Sequence, residues 1–164
     1  MTREEFIVAA EIAFERLMTP TRGLAPELME QPMADGTWSF KDLAAHLIFW
    51  DGLVVRALEE SMYGRTFDWG PYARHDEWNA QAVERLRPQT VKRVLTELRL
   101  THSTAMDAVR RVPDERLLKA GEMPHFLTWI MVGHVEHHVP QVEAWAERMR
   151  QEGKAAPSLP ILGG

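Results

Sequence analysis

Residues 126–151 read FLTWIMVGHVEHHVPQVEAWAERMRQ, an amphipathic pattern with a period near 3.6 that predicts a long final helix. His134 and His138 stand four apart in it, so they share one face about one turn, roughly 6 Å, along the axis. At 100° per residue that face also carries Leu127, Ile130, Met131, Gln141, Trp145 and Met149, the stripe expected to turn inward. His137 lies on the flank of the face as an alternate ligand, and Glu136 lies on the far side. Pro140 lacks an N–H and frees the Glu136 carbonyl, which predicts a local kink just past the histidine pair.

Upstream, Trp38-Ser39-Phe40-Lys41-Asp42 opens a second helical pattern with Ser39 and Asp42 spaced as a capping box, and the pattern continues to about Ser61. Within it His46 shares a face with Asp42, Leu43, Phe49, Trp50, Leu53 and Ala57, an apolar stripe with an imidazole inside it. The chain begins with a further helix, capped by Thr2 and Glu5 and carrying Phe6, Ala9, Ala10, Ala13 and Leu17 before Pro20 stops it. Residues 19–38 hold three prolines and two glycines and read as loop. Asp76 is placed to cap a short helix from Glu77 to about Arg87. Val91, Leu95, Leu98, Ala105, Val109 and Val112 then carry a helical stripe to Pro113. No segment alternates as a strand does, so the expected class is all-α: a four-helix bundle with one or two short extra helices. Residues 1–152 are expected to form a single domain, and residues 153–164, rich in Gly and Pro, a flexible tail.

Composition narrows the chemistry. The 164 residues include no cysteine, which removes disulfides, thiolate nucleophiles and Cys-type zinc sites, so any metal must be held by His, Asp or Glu. A net charge of −5 without a dense Lys/Arg block argues against a nucleic-acid partner. No run approaches the roughly 18 apolar residues of a membrane span, and the start lacks the basic-then-apolar order of a signal peptide, so the expected setting is cytoplasmic.

Three imidazoles on two inward stripes, His46, His134 and His138, supply three nitrogen ligands and leave coordination positions open, which is what metal-assisted chemistry requires. Zinc or nickel suits imidazole best, with iron or manganese also compatible. The competing reading is structural, since a histidine on an apolar face is often a core residue with one satisfied hydrogen bond. Several unpaired buried imidazoles would cost stability, however, and that favours the ligand reading. His102 falls on the stripe of the third long helix and reads as core or as support to the site, while His75 and His125 read as solvated loop residues. Tyr63, Phe67, Trp69, Tyr72 and Trp78 crowd residues 62–78, as cover for the bundle's end or as lining of a ligand pocket. Trp50 and Trp145 read as core. Asp42 and Asp51 are the nearest carboxylates to His46 in sequence, neither with an evident partner.

The motifs Trp38-Ser39-x-x-Asp42-Leu43-x-x-His46-x-x-x-Trp50, Asp76-x-x-Asn79 and His134-x-x-x-His138-x-x-Gln141 together resemble the DinB-like superfamily of damage-inducible and thiol-transferase four-helix bundles, over residues 5 to 150 or so. The resemblance implies a bundle with a long crossover and a metal site on one histidine of the second helix and two of the last, which map to His46, His134 and His138. It also implies a homodimer and a small-molecule substrate. Members range from S-transferases that use a low-molecular-weight thiol to relatives like the toxin-protecting ClbS and DfsB hydrolases. The expectation is therefore a divalent-metal-dependent enzyme acting on a small electrophile. In the transferase branch the metal acidifies a thiol; in the hydrolase branch it acidifies water. A non-catalytic ligand-binding or stress-response module is the third reading.

Overall fold

The computed structural model describes residues 1–153. Four long helices form the bundle: α1 (Arg3–Met18), α2 (Phe40–Met62), α4 (Val91–Arg111) and α7 (His134–Gln151). Between them lie α3 (His75–Leu86) and two single turns, α5 (Asp114–Leu117) and α6 (His125–Thr128). Among the described residues there is no strand beyond two isolated bridges. The all-α class follows as expected. Of the expected tail, residues 154–164 lie outside the described residues.

The helix starts follow local chemistry. Thr2 accepts from the Glu5 amide while the Glu5 carboxylate accepts from the Thr2 amide, and Ser39 and Asp42 make the same reciprocal pair at α2. Thr90 caps α4 through the Arg93 amide. One expected cap is corrected: α3 begins at His75, with Arg74 in the capping position and no side-chain cap, so Asp76 sits inside the first turn, where its charge opposes the helix dipole.

Packing fixes the arrangement. α2 lies mainly against α4, α1 against α7, and α3 crosses α2. One apolar cluster joins Leu17, Phe40, Leu43, Leu98 and Trp145, and a second joins Phe6, Val54, Met106, Val109, Leu127 and Met131. Phe40 and Trp145 stack nearly parallel at 6.0 Å within the first. Lys41 is buried, and its ammonium donates to the Arg87 carbonyl at 2.7 Å and to Glu30 at 3.2 Å, tying α2 to the end of α3 and to the loop before α2.

The final helix differs from its sequence pattern in one respect. Residues Trp129–Gly133 form a π turn joining α6 to α7. The extra residue rotates everything downstream by about 100°, so the most buried line of α7 runs through Val135, Val139, Val142 and Ala146. His134 and His138 are thereby moved from the centre of the buried face to its shoulder, where both are partly buried.

Candidate metal centre

The capping box starts α2 so that His46 falls two turns in, 4% exposed. The π turn presents His134 and His138 from α7 toward the same point. The Trp129 indole lies across Gly133, where an added Cβ would stand 3.0 Å from the ring, and the same indole stacks on His134 at 6.1 Å. The His46 and His134 Nε2 atoms are 2.8 Å apart, and those of His134 and His138 are 3.1 Å apart. All three side chains offer a ligand atom within 4.8 Å of one another.

A fourth residue orients the cluster. Asn79, on the inner line of α3 with Ala82, Val83 and Leu86, places its Oδ1 2.9 Å from His46 Nδ1 and 2.8 Å from Trp50 Nε1. The indole N–H can only donate, so the Asn79 atom facing it is the carbonyl oxygen and accepts from both neighbours. His46 therefore carries its proton on Nδ1. Its Nε2 presents a lone pair toward His134, the arrangement that an acceptor on Nδ1 gives a metal-binding imidazole.

Electrostatics keep the cluster neutral. Burial lowers His134 to about 3, assisted by the adjacent His46 and His138. Burial likewise lowers His46 to about 4, against the opposing hydrogen bond to Asn79, and His138 to about 4, helped by His137. At neutral pH three uncharged imidazoles thus meet at their Nε2 atoms, with the His46 lone pair turned toward the other two. A divalent cation suits that donor set.

The cluster opens on a cavity of about 490 Å³ walled by Trp50, Trp69, Phe126, Trp129 and Ile130, with Asn79, Asp76, His75 and His125 completing it. A larger groove of about 890 Å³ between α1 and α7 is lined by Glu11, Glu15, Glu143 and Glu147 but holds no histidine, so volume alone does not mark the chemistry.

The other sequence candidates fall into place. His137 is exposed with its ring beside His138 at 5.4 Å, outside the convergent set. His102 is core: it stacks flat on Phe14 at 3.9 Å, and its Nε2 lies 3.6 Å from Glu11. His75 and His125 are exposed as expected, yet both rim the cavity. Trp145 is core, whereas Trp50, expected to be core, is half-buried and forms a cavity wall. Asp42 is committed to the α2 cap, and Asp51 is buried away from the cavity. In the aromatic loop both readings apply: Phe67, Tyr72 and Trp78 build a stacked cover with Phe49, while Trp69 reaches Phe126 and the cavity. The sequence motif Asp76-x-x-Asn79 does not by itself assign Asn79 this role. Its spacing with Ala82, Val83 and Leu86 is the signal that marks it as inward-facing.

The sequence pattern of the DinB superfamily matches residues 9–142. The chain belongs to the DinB superfamily. No curated protein matches it. Among solved structures, an uncharacterised protein from Escherichia coli UTI89 shares the fold at a TM-score of 0.74 and 14% identity, covering 91% of this chain and 95% of that one. The colibactin self-resistance protein ClbS, crystallised in complex with a dsDNA, aligns at a TM-score of 0.64 and 17% identity, covering 95% of this chain and 98% of that one.

The ClbS complex overturns the expectation that an acidic balance excludes nucleic acid as a partner of this DinB-type chain. Net charge is a sum over the whole surface and does not forbid a local basic face. No helix of the described DinB bundle is long and apolar enough to cross a membrane.

Proposed function

We propose that His46, His134 and His138 hold one divalent transition-metal ion, zinc or nickel in first place and iron or manganese next, and that the protein is an enzyme acting on a small electrophilic molecule. The observation that carries this is the convergence of three neutral Nε2 atoms beside a ring-walled cavity, with the Nδ1 proton of His46 committed to Asn79. A bound divalent cation supplies Lewis acidity there, lowering the pKa of a thiol or a water that approaches it.

The chain's own residues do the rest. Asn79 and Trp50 fix the ring plane and tautomer of His46. Trp129 braces His134, and the rings of Trp50, Trp69, Phe126 and Trp129 exclude water from an apolar substrate body. His75 and His125 stand at the rim, in contact with both cavity and solvent. Because the chain contains no cysteine, a thiol nucleophile must come from a low-molecular-weight cofactor, and S-transfer is the first reading. Hydrolysis in toxin protection is the second, favoured by the fold shared with a self-resistance protein.

Turnover of 1-chloro-2,4-dinitrobenzene, with and without a small thiol, by metal-loaded and metal-free protein separates these readings. Product that requires both thiol and metal supports the transferase. Metal-dependent product without thiol supports the hydrolase. Equal rates in metal-free protein, or no turnover together with ligand-induced thermal shifts that survive chelation, would overturn the metalloenzyme reading in favour of a binding module.

A further inference from the structure

Beside the histidine cavity lies a second cleft of about 450 Å³, between the end of α2, the loop after it, α5 and the start of α6. Trp69, His125 and Phe126 line both spaces, so the two share a wall. Their chemistry is opposite. The histidine cavity holds no Lys or Arg, whereas the second cleft is lined by Arg65, Arg116 and Lys119 against one carboxylate, Glu115.

The three cations are not equivalent. Arg65 is engaged, donating to both carboxylate oxygens of Glu60 at 2.7 and 3.2 Å and lying over the Tyr63 ring. Among the described residues the side chains of Arg116 and Lys119 have neither a hydrogen-bond acceptor nor a carboxylate partner. The Arg116 guanidinium lies close over Gly64, in space that any Cβ would overlap, and Gly64 itself takes φ +71°, a conformation glycine adopts without strain. The guanidinium is the far end of a flexible, exposed side chain lying over this turn, and its donors remain free for an incoming anion. A guanidinium and an ammonium at one cleft bind carboxylate or phosphate by charge-assisted hydrogen bonds.

We propose that this cleft is an anion subsite for the small molecule that reacts at the histidine cluster: Arg116 and Lys119 hold a carboxylate or phosphate at one end of it while its reactive end crosses the shared wall of Trp69 and Phe126. The anion site stands on its own residues, and the link to a reaction rests on the metalloenzyme reading above. The ligand class is an anionic low-molecular-weight compound, which suits a cofactor thiol bearing acid groups and disfavours a neutral one.

Calorimetric titration of metal-free protein with glutathione, as the carboxylate probe, and with pyrophosphate, as the phosphate probe, tests the subsite without reference to any metal. At least one probe should bind, and which one binds names the acid group. Arg116→Ala combined with Lys119→Ala should weaken that binding tenfold or more. These are exposed positions, and an unchanged circular dichroism spectrum will show that the variant folds. Loss of metal by the protein would leave this result standing, so the two readings fail separately. No binding of either probe, or equal binding by the double variant, would overturn the subsite. So would a short DNA duplex that binds through Arg116 and Lys119 while both small anions do not.

Discussion

Asn79 Oδ1 accepts from His46 Nδ1 at 2.9 Å and from Trp50 Nε1 at 2.8 Å, so a residue of the short helix α3 sets which nitrogen of His46 faces the cluster. Removing that acceptor frees the His46 ring to rotate and to exchange its tautomer. Asn79→Ala is expected to reduce metal affinity by about 10- to 100-fold, the usual cost of losing such a partner. Competition with a chelator measures it. Asn79→Asp, which keeps an acceptor, should restore most of the affinity; equal loss in both variants would point to a packing effect instead.

The three histidines should make the metal-free protein sensitive to acid. Burial lowers His46 and His138 to about 4 and His134 to about 3, while in the unfolded chain each titrates near 6.5. Between those values the unfolded state binds more protons, so stability is complete above pH 6.5 and is lost as pH falls toward 4. Urea midpoints measured across that window should fall more steeply for the wild type than for His46→Gln/His134→Gln. Parallel curves would remove the histidines as the cause.

Asp51 works in the opposite direction. It is 4% exposed in α2, and burial raises its carboxyl to about 7 from an ordinary 3.8. The native chain then holds the proton that the unfolded chain has released, so stability declines as pH rises from about 4 to 7. Asp51→Asn removes this pH dependence. A gain on the order of 2–4 kcal/mol is expected at pH 8, disappearing below pH 4, as read by denaturant titration at both values. A pH-independent effect would assign the change to packing.

Helix α2 carries His46, and its start depends on the Ser39–Asp42 pair. Ser39→Ala should cost about 1 kcal/mol of global stability, as loss of an N-cap usually does. Thermal or chemical denaturation checks this. A cost below a few tenths of a kcal/mol would show that packing of Phe40 and Leu43, rather than the cap, fixes where the helix begins.

The helices were readable because each carries its own local signals. Thr2 with Glu5, Ser39 with Asp42, and Pro20 and Pro113 mark ends, and the stripes of α1, α2 and α4 repeat at helical spacing. The histidine set was readable from two inward faces. The π turn was not, since Trp129–Gly133 continues an ordinary helical pattern and only the three-dimensional fit of Trp129 over Gly133 reveals the extra residue. For the same reason the expected α7 stripe was centred one residue away from Val135, Val139 and Val142. The spacing of Asn79 with Ala82, Val83 and Leu86 marks it as inward-facing, but its role depends on how α3 crosses α2, a tertiary relationship the spacing does not give. The cleft beside the cavity likewise forms from segments as distant in sequence as Gly64 and Arg116. Total charge misled about partners because it carries no information on where charges sit.

The most direct measurement is the metal content of protein produced without a histidine tag, by elemental mass spectrometry. We expect close to one equivalent of a single divalent transition metal per chain, falling below a tenth in His46→Ala and in His138→Ala while both variants remain helical. Less than a tenth of an equivalent in the wild type after reconstitution, or full occupancy unchanged by both substitutions, would contradict a metal centre on His46, His134 and His138.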